Sequence, residues 1–534
     1  MLIAAVDIGT SSTRVLLFDG ARFTGQSAAV EYALKSPAPG AAELDPMEVM
    51  HALAECLRAL TQQTRQAIEC VALSSAMHSL LAVDVRGAPL TAVYTWADNR
   101  AAAILPLFEE SLPPTVFGQS LYRETGVPLH PMSPLLKLVW LRRTQPALFA
   151  AADKFVSIKE FVCHQLFGRW LADHSIASAS GLYSLTRGDW CDAALATAGV
   201  TRAHLSVLAA PETVLSGLPA GYAAAMNLAA DTPFVLGASD GCLANLGAGL
   251  LAGRTATARR AVLTIGTSGA LRMASATPAT DTAMRTFCYV LAQDQYVTGG
   301  ATNGGGLPLR WLRDNFPQLR LGLPGSALDG AANVSGVSAA NTRTAGDAYA
   351  ALAALAQQAP PGAGGLLFHP YLAGERAPLW NADARASFIG LNFSHGPAHL
   401  VRAVMEGVLF NLAMILDVLE ELAGGPVDDI IAGGGFARSP FWLQMAADLL
   451  GRPLTVADNP ESTAQGAALL AMKAMRRVAT LDEAVAQLPA ATRRITPDTA
   501  THARYAALQP IFNDVPATLA PFYNKLAHFQ RETP

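Results

Sequence analysis

The chain has 534 residues, 51% of them hydrophobic and only 15% charged, with a formal net charge of -4. This length exceeds one ordinary core and predicts two domains, and the apolar content excludes a disordered chain. The charge balance gives no electrostatic ground for nucleic acid or an anionic membrane as partner.

The opening "MLIAAVDIG" lacks a basic n-region and reaches an acid at Asp7, so it reads as a first strand and not a signal peptide. "LIAAVDI" and "TRVLLFD" flank a Gly-Thr-Ser-Ser turn and predict a hairpin of two buried strands. Strands follow at "CVALSSA" and "LLAVDVRG", then helical stretches between Asp98 and Phe167. Val235 to Gly253 is the longest apolar-looking run, but Ser239, Asp240 and Asn245 interrupt it, so it predicts no membrane span. Within it, "PFVLG" reads as a strand and "LGASDGCLANLGAGL" as a Gly-rich helix start.

The phrase "AVLTIGTSGALRMAS" then repeats the first hairpin, Ile-Gly-Thr-Ser turn included. A loop-prone stretch is expected from Pro317 to about Asn341. A long helix is expected from about Pro397 to Leu422, with Leu400, Val404, Val408, Leu412 and Leu416 on one face, Pro397 in the first turn and Gly424 past the end. "DIIAGGGFARSPFWLQMAADLLGRPLTVAD" reads as strand, Gly-rich turn, helix, strand. Six scattered cysteines (Cys56, Cys70, Cys163, Cys191, Cys242, Cys288) have no metal spacing and read as reduced, buried thiols of a cytoplasmic protein. The duplicated hairpin suggests two similar domains face to face, with a ligand between their turns and a boundary near Gly253 to Arg259.

Gly-Thr-Ser turns let backbone amides and small hydroxyls approach an anion, and two of them could grip a polyphosphate. Asp7, just before the first turn, is placed to hold a hydrated Mg²⁺ or to cap the turn. "GGATNGGG" and "AGGGFARSPFW" put glycines ahead of helices, as close ligand approach or plain turn geometry would require. No GxxxxGK[ST] is present, and "GAGLLA" from Gly247 lies inside an apparent helix, so neither a P-loop nor a dinucleotide fingerprint is expected. Asp240, between strand and helix, reads alone as an N-cap, or as a base for a substrate hydroxyl. Met77, His78, Trp96, Asp98 and Arg100 suit a polyhydroxylated anionic molecule, although Arg100 could simply pair with Asp98.

From "AVDIGTSSTRVLLFD" to "ESTAQGAALLA", the chain resembles the FGGY family of carbohydrate kinases. The family's C-terminal signature stands as "SFIGLNFSHGPAHLVRAVME"; its N-terminal signature, "MSPLLKLVWLRRT", departs only at Thr144. "SSAMHSLLAVD", "TWADNR", "SIKEFVCHQLFG", "SIASASGLYSL", "GASDGCLANLG" and "GERAPLWNADARASFIGL" look most like the family's gluconate kinases. The resemblance implies an α/β fold of two actin-like (ribonuclease H-like) domains with an ATP cleft between them. Residues 1–255 would form the sugar-binding domain with the first phosphate hairpin, 256–480 the nucleotide-binding domain, and 481–534 a helical tail.

It further implies ATP and Mg²⁺ as cofactors and phosphorylation of D-gluconate at the 6-hydroxyl. Asp240 falls on the family's catalytic base and Asp7 on its metal-associated aspartate. Gly9, Thr10, Ser11, Thr13, Gly266 and Thr267 fall on the phosphate hairpins. Gly305, Gly306, Arg310, Gly434, Gly435 and Ser439 fall near the nucleotide. Met77, His78, Trp96, Asp98 and Arg100 fall on the sugar segment. The expected partners are a sugar acid or sugar and ATP, with no nucleic acid, no membrane and a homodimer as the oligomeric form considered. The alternatives are a xylulokinase-like or other polyol or ketose kinase, and an actin-like filament or chaperone ATPase without a sugar substrate.

Overall fold

In the computed structural model, which describes residues 1–64, 66–105, 114–251, 259–316, 345–456, 461–489 and 493–532, the first hairpin forms as its apolar runs require. Strand β1 (Leu2–Ile8) pairs antiparallel with β2 (Ser12–Asp19), which pairs with β3 (Arg22–Glu31). Every residue of β1 is buried, because helices cover both of its faces and leave no polar side to alternate. Helix α1 (Pro46–Gln63) starts under an Asp45 cap and lays Val49, Leu53, Leu57 and Leu60 against the hairpin.

Strand β4 (Cys70–Ser75) runs parallel to β1, and the signature segment forms α2 (Pro134–Thr144) behind a Ser133 cap. Helix α3 (Ile158–Phe167) begins with a Ser157/Glu160 capping box. The short β5 (Val214–Leu215) and then β6 (Phe234–Ser239) complete a six-stranded sheet of order β5-β6-β4-β1-β2-β3. Its neighbour in sequence, α4 (Asp240–Gly247), follows β6 directly.

The chain divides into two compact units. The first comprises Met1–Thr257 with Arg272–Gly299 and Glu461–Ala490; the second comprises Ala258–Leu271, Gly300–Pro460 and Ala491–Pro534. A linear cut near residue 255 therefore follows the order of the chain and not its packing. The boundary segment itself, 253–258, and the loop-prone stretch 317–341 lie outside the described residues.

The second hairpin is β7 (Arg260–Ile265) and β8 (Gly269–Ser275), and the chain enters the first unit at Arg272, within β8. An antiparallel pair, β9 (Phe287–Ala292) and β10 (Gln295–Thr302), precedes α5 (Leu307–Asn315). Helix α6 (Pro397–Ala423) ends where Gly424 adopts a left-handed conformation that glycine reaches without strain. Then come β11 (Asp429–Gly433), α7 (Pro440–Leu450) and β12 (Leu454–Val456), the strand–turn–helix–strand expected there. Within the second unit β7 and β12 flank β11 in parallel, and β13 (Arg493–Ile495) closes the edge antiparallel.

Helix α8 (Ser462–Ala474) returns to the first unit and packs on α4 so closely that a β-carbon on Gly247 or Gly466 would meet the other helix's backbone. That explains Gly247, the first glycine of "GAGLLA": it permits a helix crossing. The tail carries α9 (Thr499–Glu532). Among the described residues all six cysteines are buried and free, no helix is long and apolar enough to cross a membrane, and no cluster of three or more His, Cys, Asp or Glu could hold a metal.

Candidate active site

Asp240 is the first residue of α4, and the N-cap is Ser239. The capping reading was thus one residue out of place: the Asp240 carboxylate accepts from the next amide, Gly241, at 2.7 Å. The residue is aimed by a bulge in β6, where the register with β4 shifts between Val235 and Ala238. Gly237 makes the bulge possible, since at φ 72° a β-carbon there would strike the Leu73 carbonyl.

Behind the bulge lies a buried polar lock. Lys159 pairs with Asp173 at 2.9 Å and donates to the Ala238 carbonyl at 3.1 Å, while Ser175 Oγ accepts from the Ser239 amide at 3.1 Å. Asp240 itself is half-buried. Burial, and then the Asp7 carboxylate, push its pKa up to about 6, while the Gly241 amide and Arg272 pull it down.

Asp7 lies buried on β1. Its pKa is raised by burial, against the pull of Arg14, whose Nη2 stands 3.1 Å from Oδ2. Arg14 also binds Glu461 at 3.0 Å. In the turn that follows, Thr10 Oγ1 accepts from Trp96 Nε1 at 2.9 Å, tying the first Gly-Thr-Ser turn to the Trp96 segment. Thr13 points the other way: it is fully buried and shares its hydroxyl with Tyr32, whose own hydroxyl donates to the Gly9 carbonyl at 2.7 Å. Thr13 supports the turn from beneath.

The Met77–His78 segment is held in an unusual conformation, with His78 at φ 65°. His78 Nδ1 lies 2.8 Å from the Ala179 carbonyl and Nε2 lies 3.4 Å from the Tyr289 hydroxyl. Lys137 explains how the segment stays put. Its buried ammonium donates to the carbonyls of His78 (2.8 Å), Thr95 (2.6 Å) and Met132 (2.8 Å), and burial pulls its pKa down to about 7. One cation thereby fixes the Met77–His78 turn and the approach to Trp96 together.

Arg100 is placed differently from the other candidates. It contacts Asp98 and Glu43, each at 2.6 Å, and stacks over Tyr94 and Trp140 at 4.6 and 4.9 Å from the ring centroids. Asp98, 1% exposed, also accepts from the Ala42 amide at 3.0 Å. The pairing of Arg100 with Asp98 is present as the sequence allowed, and Glu43 and two aromatic rings add to it. A residue that sequence reasoning missed, Arg272, stands nearer Asp240: a side chain grown on Gly241 would begin 2.6 Å from the Met77 methyl and 3.5 Å from Arg272 Nη2. The signal was present, as one cation in the otherwise uncharged strand "GALRMAS".

In the second unit, a cavity of about 780 Å³, within the usual range of ligand sites, collects Gly266, Thr267, Gly306, Arg310, Gly435 and Ser439. Gly306 donates to the Gly266 carbonyl at 2.7 Å and Gly305 to the Thr267 carbonyl at 3.1 Å, bracing the exposed second turn. Gly434, at φ 90°, passes tightly over the Ile265 carbonyl, and Ser439 caps α7. Tyr349, Gln357 and Phe436, which the sequence did not single out, are also part of the lining.

Two family models match in tandem, the FGGY carbohydrate kinase N-terminal domain over residues 2–247 and its C-terminal domain over residues 261–475. The chain belongs to the FGGY family of carbohydrate kinases, and is an ATP-dependent carbohydrate kinase with that family's two-domain, actin-like α/β fold. It is 39% identical to the gluconokinase of Bacillus subtilis (strain 168), over 98% of both chains. It is 30% identical to the xylulose kinase of Escherichia coli (strain K12), over 95% of this chain and 96% of that one. A crystal structure of gluconate kinase from Lactobacillus acidophilus matches with a TM-score of 0.87 at 31% identity, covering 98% of this chain and 99% of that one. A ligand-bound xylulose kinase structure from the same organism matches with the same figures.

Proposed function

We propose that the acceptor sugar is D-gluconate, phosphorylated at its 6-hydroxyl to give 6-phospho-D-gluconate, with Asp240 as general base. The position of Asp240 carries the base assignment. Its carboxylate is half-buried, sits at the start of a helix and has a pKa near 6, so at neutral pH it is ionised yet basic enough to accept a hydroxyl proton. The higher identity to a gluconokinase, 39% against 30% for a xylulose kinase, supports the choice of sugar.

The C6 hydroxyl gives its proton to Asp240 as its oxygen attacks the γ-phosphorus of ATP in line, and ADP departs. Met77, His78 and Trp96 bind the sugar, with Lys137 and the Asp98–Arg100 pair fixing the segments that carry them. Backbone amides of the turns at Gly9–Ser11 and Gly266–Thr267 meet phosphate oxygens, and the cavity of Gly306, Arg310 and Ser439 takes the nucleoside. Asp7 fits Mg²⁺: one carboxylate plus substrate phosphates and water is the oxygen set this ion takes, and the raised pKa of Asp7 beside a second carboxylate is relieved by a cation. When bound, the ion neutralises phosphate charge.

The test is ADP release from Mg-ATP with D-gluconate, D-xylulose, L-ribulose, glycerol or no sugar. A kcat/KM for gluconate well above the others is expected. A preference for xylulose would keep the family and replace the substrate, and sugar-independent turnover would overturn both base and acceptor.

A further inference from the structure

We infer that Arg272 is the residue that recognises the carboxylate of a sugar acid, and so sets the enzyme's preference for acids over neutral polyols; this rests on the gluconate reading above. Arg272 lies on β8, five residues after the second Ile-Gly-Thr-Ser turn begins its Thr-Ser step, and belongs with the first unit. Its Nε is buried and makes no hydrogen bond, and among the described residues the side chain forms no ion pair. A buried guanidinium donor without a partner is a costly arrangement, retained where something other than the protein completes it. Burial also draws the arginine's pKa down, against the pull of the Asp240 carboxylate.

Its place indicates what completes it. The guanidinium and the Met77 methyl converge over Gly241, the residue beside the proposed base. His78 and Tyr289, joined at 3.4 Å, belong to the same neighbourhood, since the Tyr289 phenol lies near enough to act on Arg272. A molecule reaching from Asp240 across Met77 therefore meets Arg272. A six-carbon chain with its reacting hydroxyl at one end and a carboxylate at the other has that form. The planar fork of arginine matches a carboxylate in two parallel hydrogen bonds. Arg100 cannot serve, since Asp98 and Glu43 already occupy its fork.

The experiment compares D-gluconate with D-glucitol, the neutral analogue whose C1 is an alcohol, in wild type, Arg272→Gln and Arg272→Lys. Steady-state kinetics and calorimetric binding of each compound without ATP are both recorded. In Arg272→Gln the gluconate-to-glucitol ratio of kcat/KM is expected to collapse by about 100-fold, with gluconate binding weakened in parallel. Arg272→Lys, which keeps the charge and loses the fork, should lose about 10-fold.

A ratio that survives in both variants overturns the inference, whether the two activities fall together or neither moves. Equal losses would instead place Arg272 on the transferring phosphoryl group. If Arg272→Gln does not fold, the lysine variant decides alone. A wild type without preference for gluconate overturns the proposed substrate and this inference together; a preference untouched by substitution overturns the inference only.

Discussion

Arg100 and Arg272 bring the same group into the same unit and meet opposite surroundings. Arg100 has two carboxylates within 2.6 Å and two aromatic rings beneath it. Arg272 has an orphaned Nε, the Met77 methyl nearby and, among the described residues, only the Asp240 carboxylate, with which it forms no direct ion pair, acting on it. A cation whose hydrogen bonds are all taken by the protein can hold loops in place but has nothing left for a ligand. A cation left short is destabilising alone and useful only in a complex. The same contrast separates Lys137, with three carbonyls, from Asp240, whose carboxylate is raised by burial and by Asp7. Saturation by the protein marks the scaffold, and deficit marks the site.

The sharpest division should come from Asp240→Asn. Loss of the base is expected to lower kcat by about 10⁴-fold, equivalent to about 5.5 kcal/mol. The variant should nevertheless unfold at the same temperature as wild type or slightly higher. The folded pKa is raised, so the native carboxylate is favoured when protonated, and that contribution is lost as pH rises toward about 6. Above it the ionised group weighs against folding, by about 1 kcal/mol once its solvent access is allowed for. A calorimetric scan at pH 7 in which Asp240→Asn melts well below wild type would break the rule that deficit marks the site.

Arg100→Gln should do the reverse. It leaves Asp98 buried without its counter-charge and is expected to lose about 3–4 kcal/mol in urea unfolding, with the kinetics of the folded fraction little changed. Arg272→Gln in the same titration should lose nothing. If the two arginine variants unfold alike, the comparison fails. Lys137→Met follows at about 2–3 kcal/mol, since three carbonyls lose their donor at once.

The scaffold was largely legible in the sequence and the deficits were not. Both hairpins, the helix ending before Gly424, and the strand–turn–helix after Asp429 follow from local pattern, because strand and helix periods and their stop residues lie within a few positions of one another. Asp240 reads alone as a cap and through the family resemblance as a base; the cap falls on Ser239 because the strand runs two residues past "PFVLG". Lys159 holds the Ala238 carbonyl 79 residues away, and no local pattern encodes that distance. In the tail, α9 runs through Pro510, Pro516 and Pro521, residues whose missing amide usually interrupts a helix, so propensity alone would not give its length. Arg100 stands out in sequence because it neighbours Asp98 and Trp96, yet Asp98 and the distant Glu43 together fill its fork, while Arg272 has no such local signal beyond its lone charge.

Protonation of the base gives a smaller effect with a definite sign. Asp240 must be ionised to accept a proton, so kcat for gluconate should be flat above neutrality and fall as pH drops through about 6. At one unit below that value the loss is about 10-fold, or about 1.4 kcal/mol. A profile flat to pH 4.5 would detach the rate from Asp240.

The smallest effect is expected where a group near the site is neither saturated nor short. Trp96 donates one hydrogen bond, at 2.9 Å, to the Thr10 hydroxyl. Trp96→Phe keeps an aromatic platform and removes that bond, and Thr10, half-buried beside the turn, can turn its hydroxyl to water. The net loss is then about 1 kcal/mol, seen as a roughly fivefold change. Because the bond joins the proposed sugar segment to the proposed phosphate turn, the change should appear in kcat as well as in the KM for gluconate. A change in the sugar's KM alone would mean that Trp96 serves only as a platform and that the tie to Thr10 carries nothing to the phosphate side. A loss as large as that of Asp240→Asn would place Trp96 among the groups the reaction cannot do without, and neither its contacts nor its chemistry supports that.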